Sequence, residues 1–319
     1  MPAKPRLWVT RKLSDNSMAR ARAGYDVIDN PEDRTFSADE IVAISAEVDA
    51  ILPCHSEIFD ADVTARLSDR VKIIANHSVG VDHCDLTALG ARGIVVTNTP
   101  DVLSDATAEI AILLMLGAAR RGAEGDRLVR AGQWRDWSPS FMVGRQVSGK
   151  RFGVIGMGRV GLVAAQRARG FGMEVHYHNR RPVEGLADAT YHASVDELIA
   201  VSDVLSLHCP ATPESRGMIN ADRLALLPDG AILVNTARGA LVDDAALIAG
   251  LKAGRPWAAG LDVFNDEPAI HPGYRDLPNV FLLPHIGSAT FETRDAMGFR
   301  ALDNLDAFFA GREPADRLV

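Results

Sequence analysis

The chain of 319 residues is 47% hydrophobic and 24% charged, with a formal net charge of −8, which suits about two domains with sizeable cores. The negative balance excludes a broad basic field for nucleic acid or an anionic membrane, so an anionic ligand has to be met by local cations. Cys54, Cys84 and Cys209 are scattered and odd in number, without metal-ligand spacing, which points to a cytoplasmic protein with reduced thiols and no metal site.

Met1-Pro2-Ala3-Lys4-Pro5-Arg6 enters a strand directly and lacks the apolar core of a signal peptide. The first hundred residues then alternate candidate strands with helical patterns. The strands are Arg6–Thr10, Tyr25–Ile28, Ala50–Pro53, Lys72–Ala75 and Ile94–Thr97; the helices lie near Ala38–Ser45, Ala61–Leu67 and Leu86–Ala91. Such alternation implies a mostly parallel sheet covered by helices. Next, Ser104 or Asp105 reads as the N-cap of a long helix carrying the apolar run Ile110 to Ala119, which is too short to span a bilayer. Arg121 to Lys150 is polar and reads as a connecting arm. Its Trp134 and Trp137 suit either a subunit interface or a cover for this chain's own core.

The arm leads to the most informative stretch. Phe152 to Ile155 is a short apolar strand that breaks into Gly156-x-Gly158-x-x-Gly161, then a helix from Val160 to about Arg169, then a strand over Glu174–His178. This is the context a dinucleotide fingerprint requires. Gly156 permits the tight turn, Gly158 lets the backbone approach a pyrophosphate, and Gly161 lets the helix pack on the strand. The helix start at Arg159 and Val160 offers N–H groups and a positive dipole end to phosphate. About twenty residues on, where an NAD site usually places a carboxylate for the ribose 2′-hydroxyl, the chain has Asn179-Arg180-Arg181. A neutral amide does not repel a 2′-phosphate, and two guanidiniums can hold its oxygens. The spacing therefore favours NADPH, with NADH weaker.

Further strands are expected at Val204–His208, Ala231–Asn235, Ala258–Asp262 and Val280–Leu283, giving a second doubly wound sheet of at least six strands. Helices are expected around Ala221–Leu227 and Asp243–Ala253, and Ser194 and Glu197 have capping-box spacing. A final amphipathic helix over Thr290 to Ala310 comes too late for that sheet and is expected to return to the first half. Ligands of open parallel sheets sit outside the carboxyl ends of the strands. Asp262 ends a strand of the second half, and Arg238, Glu267 and His285 follow strands there. Arg238 can bind a carboxylate or polarise a carbonyl, His285 can deliver a proton, and Glu267 can stabilise the charged imidazolium.

Several segments, in this order, resemble the D-2-hydroxyacid dehydrogenase family along nearly the whole chain. They are Ser78-Val79-Gly80-Val81-Asp82-His83, Thr107-Ala108-Glu109, Gly156 to Gly161, Asn235-Thr236-Ala237-Arg238-Gly239, Gly260-Leu261-Asp262-Val263-Phe264, Asp266-Glu267-Pro268 and Pro284-His285-Ile286-Gly287-Ser288-Ala289-Thr290. The resemblance implies that Arg238, Glu267 and His285 are catalytic and that N–H groups at Val79 and Gly80, with Arg238 and His285, hold the substrate. It implies that Asp262 holds the nicotinamide carboxamide and that Thr107 and Ala237 lie near the cofactor. The implied fold is α/β with two doubly wound parallel-sheet domains and an interdomain cleft. A flavodoxin-like substrate domain would comprise residues 1–100 and 287–319, and a Rossmann nucleotide domain residues 101–286. Members are usually dimers through an arm such as Arg121–Lys150.

Within the family, Tyr177-His178-Asn179-Arg180-Arg181 and Trp134-Arg135-Asp136-Trp137-Ser138-Pro139 resemble the NADPH-dependent glyoxylate/hydroxypyruvate reductases. The implied substrates are small 2-oxo acids. The alternatives are a bulkier 2-oxo acid such as 2-ketogluconate or phenylpyruvate, and a dinucleotide-sensing regulator. Leu52-Pro53-Cys54-His55 is expected to border the pocket, and Cys54-His55 is not a family feature. Arg294 reads as a solvated helix arginine, with contact to a polar substrate tail as the alternative.

Overall fold

The computed structural model describes residues 4–319; Met1, Pro2 and Ala3, part of the stretch read above for a signal peptide, lie outside the described residues. The chain divides into two compact units, one running to Leu103 and resuming over Ala289–Val319, the other comprising Ser104–Ser288. In chain order the first unit supplies β1 (Arg6–Val9), α1 (Asp15–Gly24), β2 (Asp26–Ile28), α2 (Ala38–Ser45), β3 (Ala50–Leu52), α3 (Ala61–Arg66), β4 (Ile73–Ala75), α4 (Leu86–Ala91) and β5 (Val95–Thr97). The second supplies α5 (Ser104–Ala119), α6 (Gly122–Arg130), β6 (Arg151–Ile155), α7 (Arg159–Gly170), β7 (Glu174–His178), β8 (Thr190–Tyr191) and α8 (Val195–Val201). It continues with β9 (Val204–Leu207), α9 (Ala221–Leu226), β10 (Ile232–Asn235), α10 (Asp244–Ala253), β11 (Ala258–Leu261) and β12 (Val280–Leu282). Helix α11 (Phe291–Phe309) then returns to the first unit.

Every strand pair in both sheets is parallel. The first sheet has the order β2-β1-β3-β4-β5, the flavodoxin-like winding. Helices cover both faces, so the strands read as continuous apolar runs: β3, β4 and β5 are buried throughout. Leu7, Val9, Leu52 and Ile73 pack under α1 and α11, while Trp8, Ile51, Ile74 and Val96 pack under α2, α3 and α4. The carboxylate of Asp316 fastens the returning tail. It accepts two hydrogen bonds of 2.7 Å from the Arg300 guanidinium and one of 3.0 Å from Asn304 Nδ2, and the Leu318 N–H reaches the Val96 carbonyl at 2.8 Å.

The second sheet has the order β12-β11-β10-β9-β6-β7-β8, a Rossmann winding whose switch point lies between β6 and β9. Its strand cores, such as Ile232–Asn235 and Ala258–Leu261, are fully buried. One face is covered by α5 and α7, the other by α8, α9 and α10. Apolar over most of its length, with Asp105 and Glu109 exposed near its start, α5 is sandwiched between α7 and the sheet and is not a membrane element. Among the described residues no helix is long and apolar enough to cross a membrane.

The structure adds to some local expectations and corrects others. Helix α1 escaped the hydrophobic pattern because its sequence, DNSMARARAG, is dominated by polar residues and alanine. Its N-cap, Ser14, accepts the Ser17 N–H at 3.3 Å, and only Ser17, Met18 and Ala21 are buried. The arm contains a helix of its own, Gly122–Arg130. The long helix already includes Ser104 and Asp105, so neither is its cap. The second sheet, expected to have at least six strands, has seven; the additional one, Thr190–Tyr191, is too short for any alternation to register. At Ser194, half of the expected capping box forms: Ser194 accepts the Glu197 N–H, but the Glu197 carboxylate accepts from Ala193 instead. Trp134 and Trp137 are 58% and 72% exposed, so they do not cover this chain's own core.

Candidate active site

The glycine turn leaves β6 at the switch point. Gly156 has φ +97°, and a Cβ there would lie 2.6 Å from the Cys209 nitrogen and 2.7 Å from the His208 carbonyl carbon. Only glycine permits both the dihedral and the approach to the end of β9. A Cβ on Gly161 would lie 2.3 Å from the Gly156 oxygen, so this residue brings α7 down on the turn. Gly158 differs: it caps α7 without a side-chain bond, and nothing lies within 4 Å of where its Cβ would be. Two glycines are therefore explained by the protein's own backbone, and the third faces open space at a helix N-terminus. That is the arrangement a pyrophosphate needs, with Arg159 and Val160 opening the helix behind it.

Asn179 directly follows β7 and is tied to the same turn. Its Oδ1 accepts the Met157 N–H at 2.6 Å and its Nδ2 donates to the Met157 carbonyl at 3.4 Å. The amide thus braces the glycine turn and puts no negative charge at this strand end. Arg180 and Arg181, the next two residues, are exposed.

A second constellation lies at the carboxyl ends of β10, β11 and β12. The Asn235 side chain accepts the Ala237 N–H (3.0 Å) and donates to the Arg238 carbonyl (2.8 Å), folding the chain sharply as β10 ends. This puts Arg238, with its Nη1 on the Ala237 carbonyl at 2.6 Å, at the start of the turn Gly239–Leu241. A Cβ on Gly239 would lie 1.9 Å from the Phe264 carbonyl carbon. The missing side chain lets the loop carrying Glu267 lie against the loop carrying Arg238. Asn265 anchors that loop by donating to Asp244 (2.9 Å) and the Val242 carbonyl (3.2 Å), and Tyr274 donates to the other Asp244 oxygen at 2.7 Å.

Glu267 spans the last two strand ends. Its Oε1 accepts the Phe264 N–H at 2.7 Å, and its Oε2 lies 2.6 Å from His285 Nδ1. His285 has φ +55°, a strained conformation for a residue with a side chain. Asp262 supplies the constraint that holds it. Only 1% exposed, its two oxygens accept the Ile286 and Gly287 N–H groups at 2.8 and 2.7 Å. Burial raises the Asp262 pKa, against the pull of those two N–H groups and of the His285 charge. Thr107, in the first turn of α5, reaches the same corner: a Cβ on Gly287 would lie 3.2 Å from Asp262 Oδ2 and 3.5 Å from Thr107 Oγ1.

The other residues named from the sequence lie in the first unit, where the carbonyls of Val79 and Gly80 accept from Asn98 Nδ2 (2.8 Å) and the Ser78 hydroxyl (2.7 Å). Their N–H groups donate to no described residue, which leaves a fixed peptide with two free donors. Cys54 and His55 follow β3, and Arg294 lies in the first turn of α11. Sequence reasoning passed over the bracing role of Asn179, the anchor Asn265–Asp244 and the contact made by Gly239. For Gly239 the signal was present as a glycine directly after the candidate arginine; the other contacts join residues more than twenty positions apart.

The glycines separate into two experimental classes. Gly156→Ala is expected to lower stability by about 1–3 kcal/mol through strain and the clash with β9. Gly158→Val should leave the melting temperature near the parent value and lose dinucleotide affinity. Thermal melts with calorimetric titration check both, and full affinity in Gly158→Val would refute the assignment.

Over residues 112–287 the chain matches the family model described as D-isomer specific 2-hydroxyacid dehydrogenase, NAD binding domain. Glycerate dehydrogenase of Hyphomicrobium methylovorum is 44% identical over 315 residues, spanning 98% of each chain. Glyoxylate reductase of Thermococcus kodakarensis is 40% identical over 317 residues, covering 98% of this chain and 95% of its own. Among solved structures, an NADPH-dependent glyoxylate/hydroxypyruvate reductase from Sinorhizobium meliloti, in complex with NADP and malonate, superposes with a TM-score of 0.88 at 34% identity, covering 99% of this chain and 97% of that one.

Proposed function

Because the chain belongs to the D-isomer specific 2-hydroxyacid dehydrogenase family, we propose that it reduces small 2-oxo acids with NADPH, glyoxylate to glycolate and hydroxypyruvate to D-glycerate. The observation that carries the reading is the Glu267–His285 pair at 2.6 Å, set at strand ends of the unit that carries the glycine turn. When bound, the nicotinamide supplies the hydride that adds to the 2-oxo carbon. Arg238 binds the substrate carboxylate and polarises the adjacent carbonyl. With Nδ1 engaged by Glu267, His285 presents Nε2 to the substrate, and the Nε2 proton passes to the carbonyl oxygen as the alkoxide forms. Glu267 remains ionised, orients the ring and stabilises its positive charge before transfer. Asp262 and Thr107 fix the corner that receives the nicotinamide. Each Asp262 oxygen keeps a lone pair for a carboxamide N–H beyond the main-chain bond that it already accepts.

In the first unit, the free N–H groups of Val79 and Gly80 serve as further donors to the substrate carboxylate. Neutral Asn179 with Arg180 and Arg181 supports NADPH over NADH, because a guanidinium pair complements a 2′-phosphate and no carboxylate stands there to repel one. The three free thiols, Cys54, Cys84 and Cys209, agree with a cytoplasmic setting. The exposed Trp134, Trp137, Phe141 and Val143 are proposed as the contact of a homodimer.

Three measurements test this reading. Loss of nicotinamide absorbance should be fast for NADPH with glyoxylate and hydroxypyruvate and slower for NADH. A clear NADH preference would refute the role of Arg180 and Arg181, and turnover confined to 2-ketogluconate or phenylpyruvate would overturn the substrate. His285→Ala should lose about 10²- to 10⁴-fold in kcat while NADPH binding is kept, and near-normal turnover would sink its role as acid. Sedimentation should find a dimer that Trp134→Ala/Trp137→Ala weakens; a monomeric parent protein would contradict the interface.

A further inference from the structure

In the first unit the winding β2-β1-β3-β4-β5 puts the switch point between β1 and β3, where such sheets usually open for a ligand. Here that place is filled. Glu57 is fully buried and accepts the Thr10 hydroxyl after β1, the Cys54 N–H (3.2 Å) after β3 and the Ser56 hydroxyl (2.8 Å). Binding chemistry is therefore displaced toward the ends of β3 and β4, where the free Val79 and Gly80 N–H groups lie.

Arg294 belongs to the same region. Its carbonyl accepts from His77 Nε2 at 3.3 Å, two residues before Val79, and its charge is felt at both Cys54 and His77. The placement is unfavourable on three counts. The residue is half-buried, and its guanidinium makes no hydrogen bond or ion pair with any described residue. Nearby Arg20 and Arg300, by contrast, pair with Asp303, Asp306 and Asp316. Arg294 also occupies the first turn of a 19-residue helix, whose positive end repels a cation. An oxygen-bearing ligand relieves all three.

His77 supplies a second indication. Burial first, and then the Arg294 charge, push its pKa down to about 4, so the ring is neutral near pH 7. Nε2 donates to a carbonyl, which makes Nδ1 an acceptor, and Nδ1 is buried without a partner among the described residues. His77 Nδ1 is closed to solvent and is no ligand group, but its neutral ring puts no counter-charge on the Arg294 guanidinium; with the Val79 and Gly80 N–H groups answering the carboxylate, a hydroxyl suits that guanidinium better than a second anion.

We infer that Arg294 is a specificity-determining residue whose guanidinium binds the oxygen on C3 of the substrate, selecting 2-oxo acids that carry a hydroxyl there. The inference rests on the reaction proposed above and takes up, from the half-burial of Arg294, the alternative of a contact to a polar substrate tail. Pyruvate, with a methyl in that place, and glyoxylate, with no C3, isolate the contact. Arg294→Met should lose about 10- to 100-fold in kcat/KM for hydroxypyruvate, mostly through KM, and a clearly smaller factor for pyruvate and glyoxylate, so that the preference for hydroxypyruvate falls. Arg294→Lys should recover part of the hydroxypyruvate activity and serves as the test if the methionine variant fails to fold. Equal losses on all three acids, or an unaltered hydroxypyruvate preference, would overturn the role of Arg294 while leaving the reaction standing. No turnover of any of the three by the parent enzyme would overturn both.

Discussion

The carboxylate of Asp262 receives the two peptide N–H groups that follow His285, and most of the candidate site depends on that contact. Without it the chain leaving β12 has no reason to hold His285 in the left-handed region, where a side chain costs about 1–3 kcal/mol of backbone strain. Glu267 then meets an imidazole already fixed in position, so little conformational entropy is lost in forming a 2.6 Å contact. Asp262 accepts these bonds from a buried position, and burial raises its pKa. The two N–H groups offset part of that penalty, so the carboxylate and the strained peptide stabilise one another.

A related constraint acts through backbone contact. Gly156, Gly161 and Gly239 each stand where a Cβ would fall within 2.6 Å of another main chain. The first two close the turn between β6 and α7, and the third lets the Arg238 loop lie against the Glu267 loop. Parallel strands deliver their carboxyl ends to one edge of a sheet, but loops of ordinary side chains would keep those ends apart. The missing side chains at Gly156 and Gly161 close the turn after β6, and that at Gly239 lets the loops after β10 and β11 touch. In the first unit the buried Glu57 takes the opposite part, filling the switch point and leaving the ends of β3 and β4 as the polar surface.

Much of the architecture was legible because parallel sheets buried on both faces demand uninterrupted apolar runs, and Phe152–Ile155, Ala231–Asn235 and Ala258–Asp262 are such runs. Helices with strong caps were also readable: Asp243 accepts the Ala246 N–H at 3.0 Å at the head of α10. Legibility failed where length or composition weakened the pattern. Helix α1 is mostly polar residues and alanine, β8 has two residues, and α6 starts at a glycine and buries none of its residues.

The sequence by itself determined the kinds of element, their order, and the chemical types at the strand ends: a glycine turn, a basic pair without a carboxylate, and Arg238, Glu267 and His285. These are local properties, carried by hydrophobic periodicity and by residues a few positions apart. Only the tertiary structure decided that Asn179 braces the glycine turn, that Asp262 holds the peptide after His285, that Glu57 fills the first sheet's switch point, and that the Arg294 guanidinium is half-buried without a partner among the described residues. Each of these facts joins or isolates groups across chain separations that no sequence pattern encodes, and a carboxylate or guanidinium acquires its energetic meaning only from what surrounds it after folding.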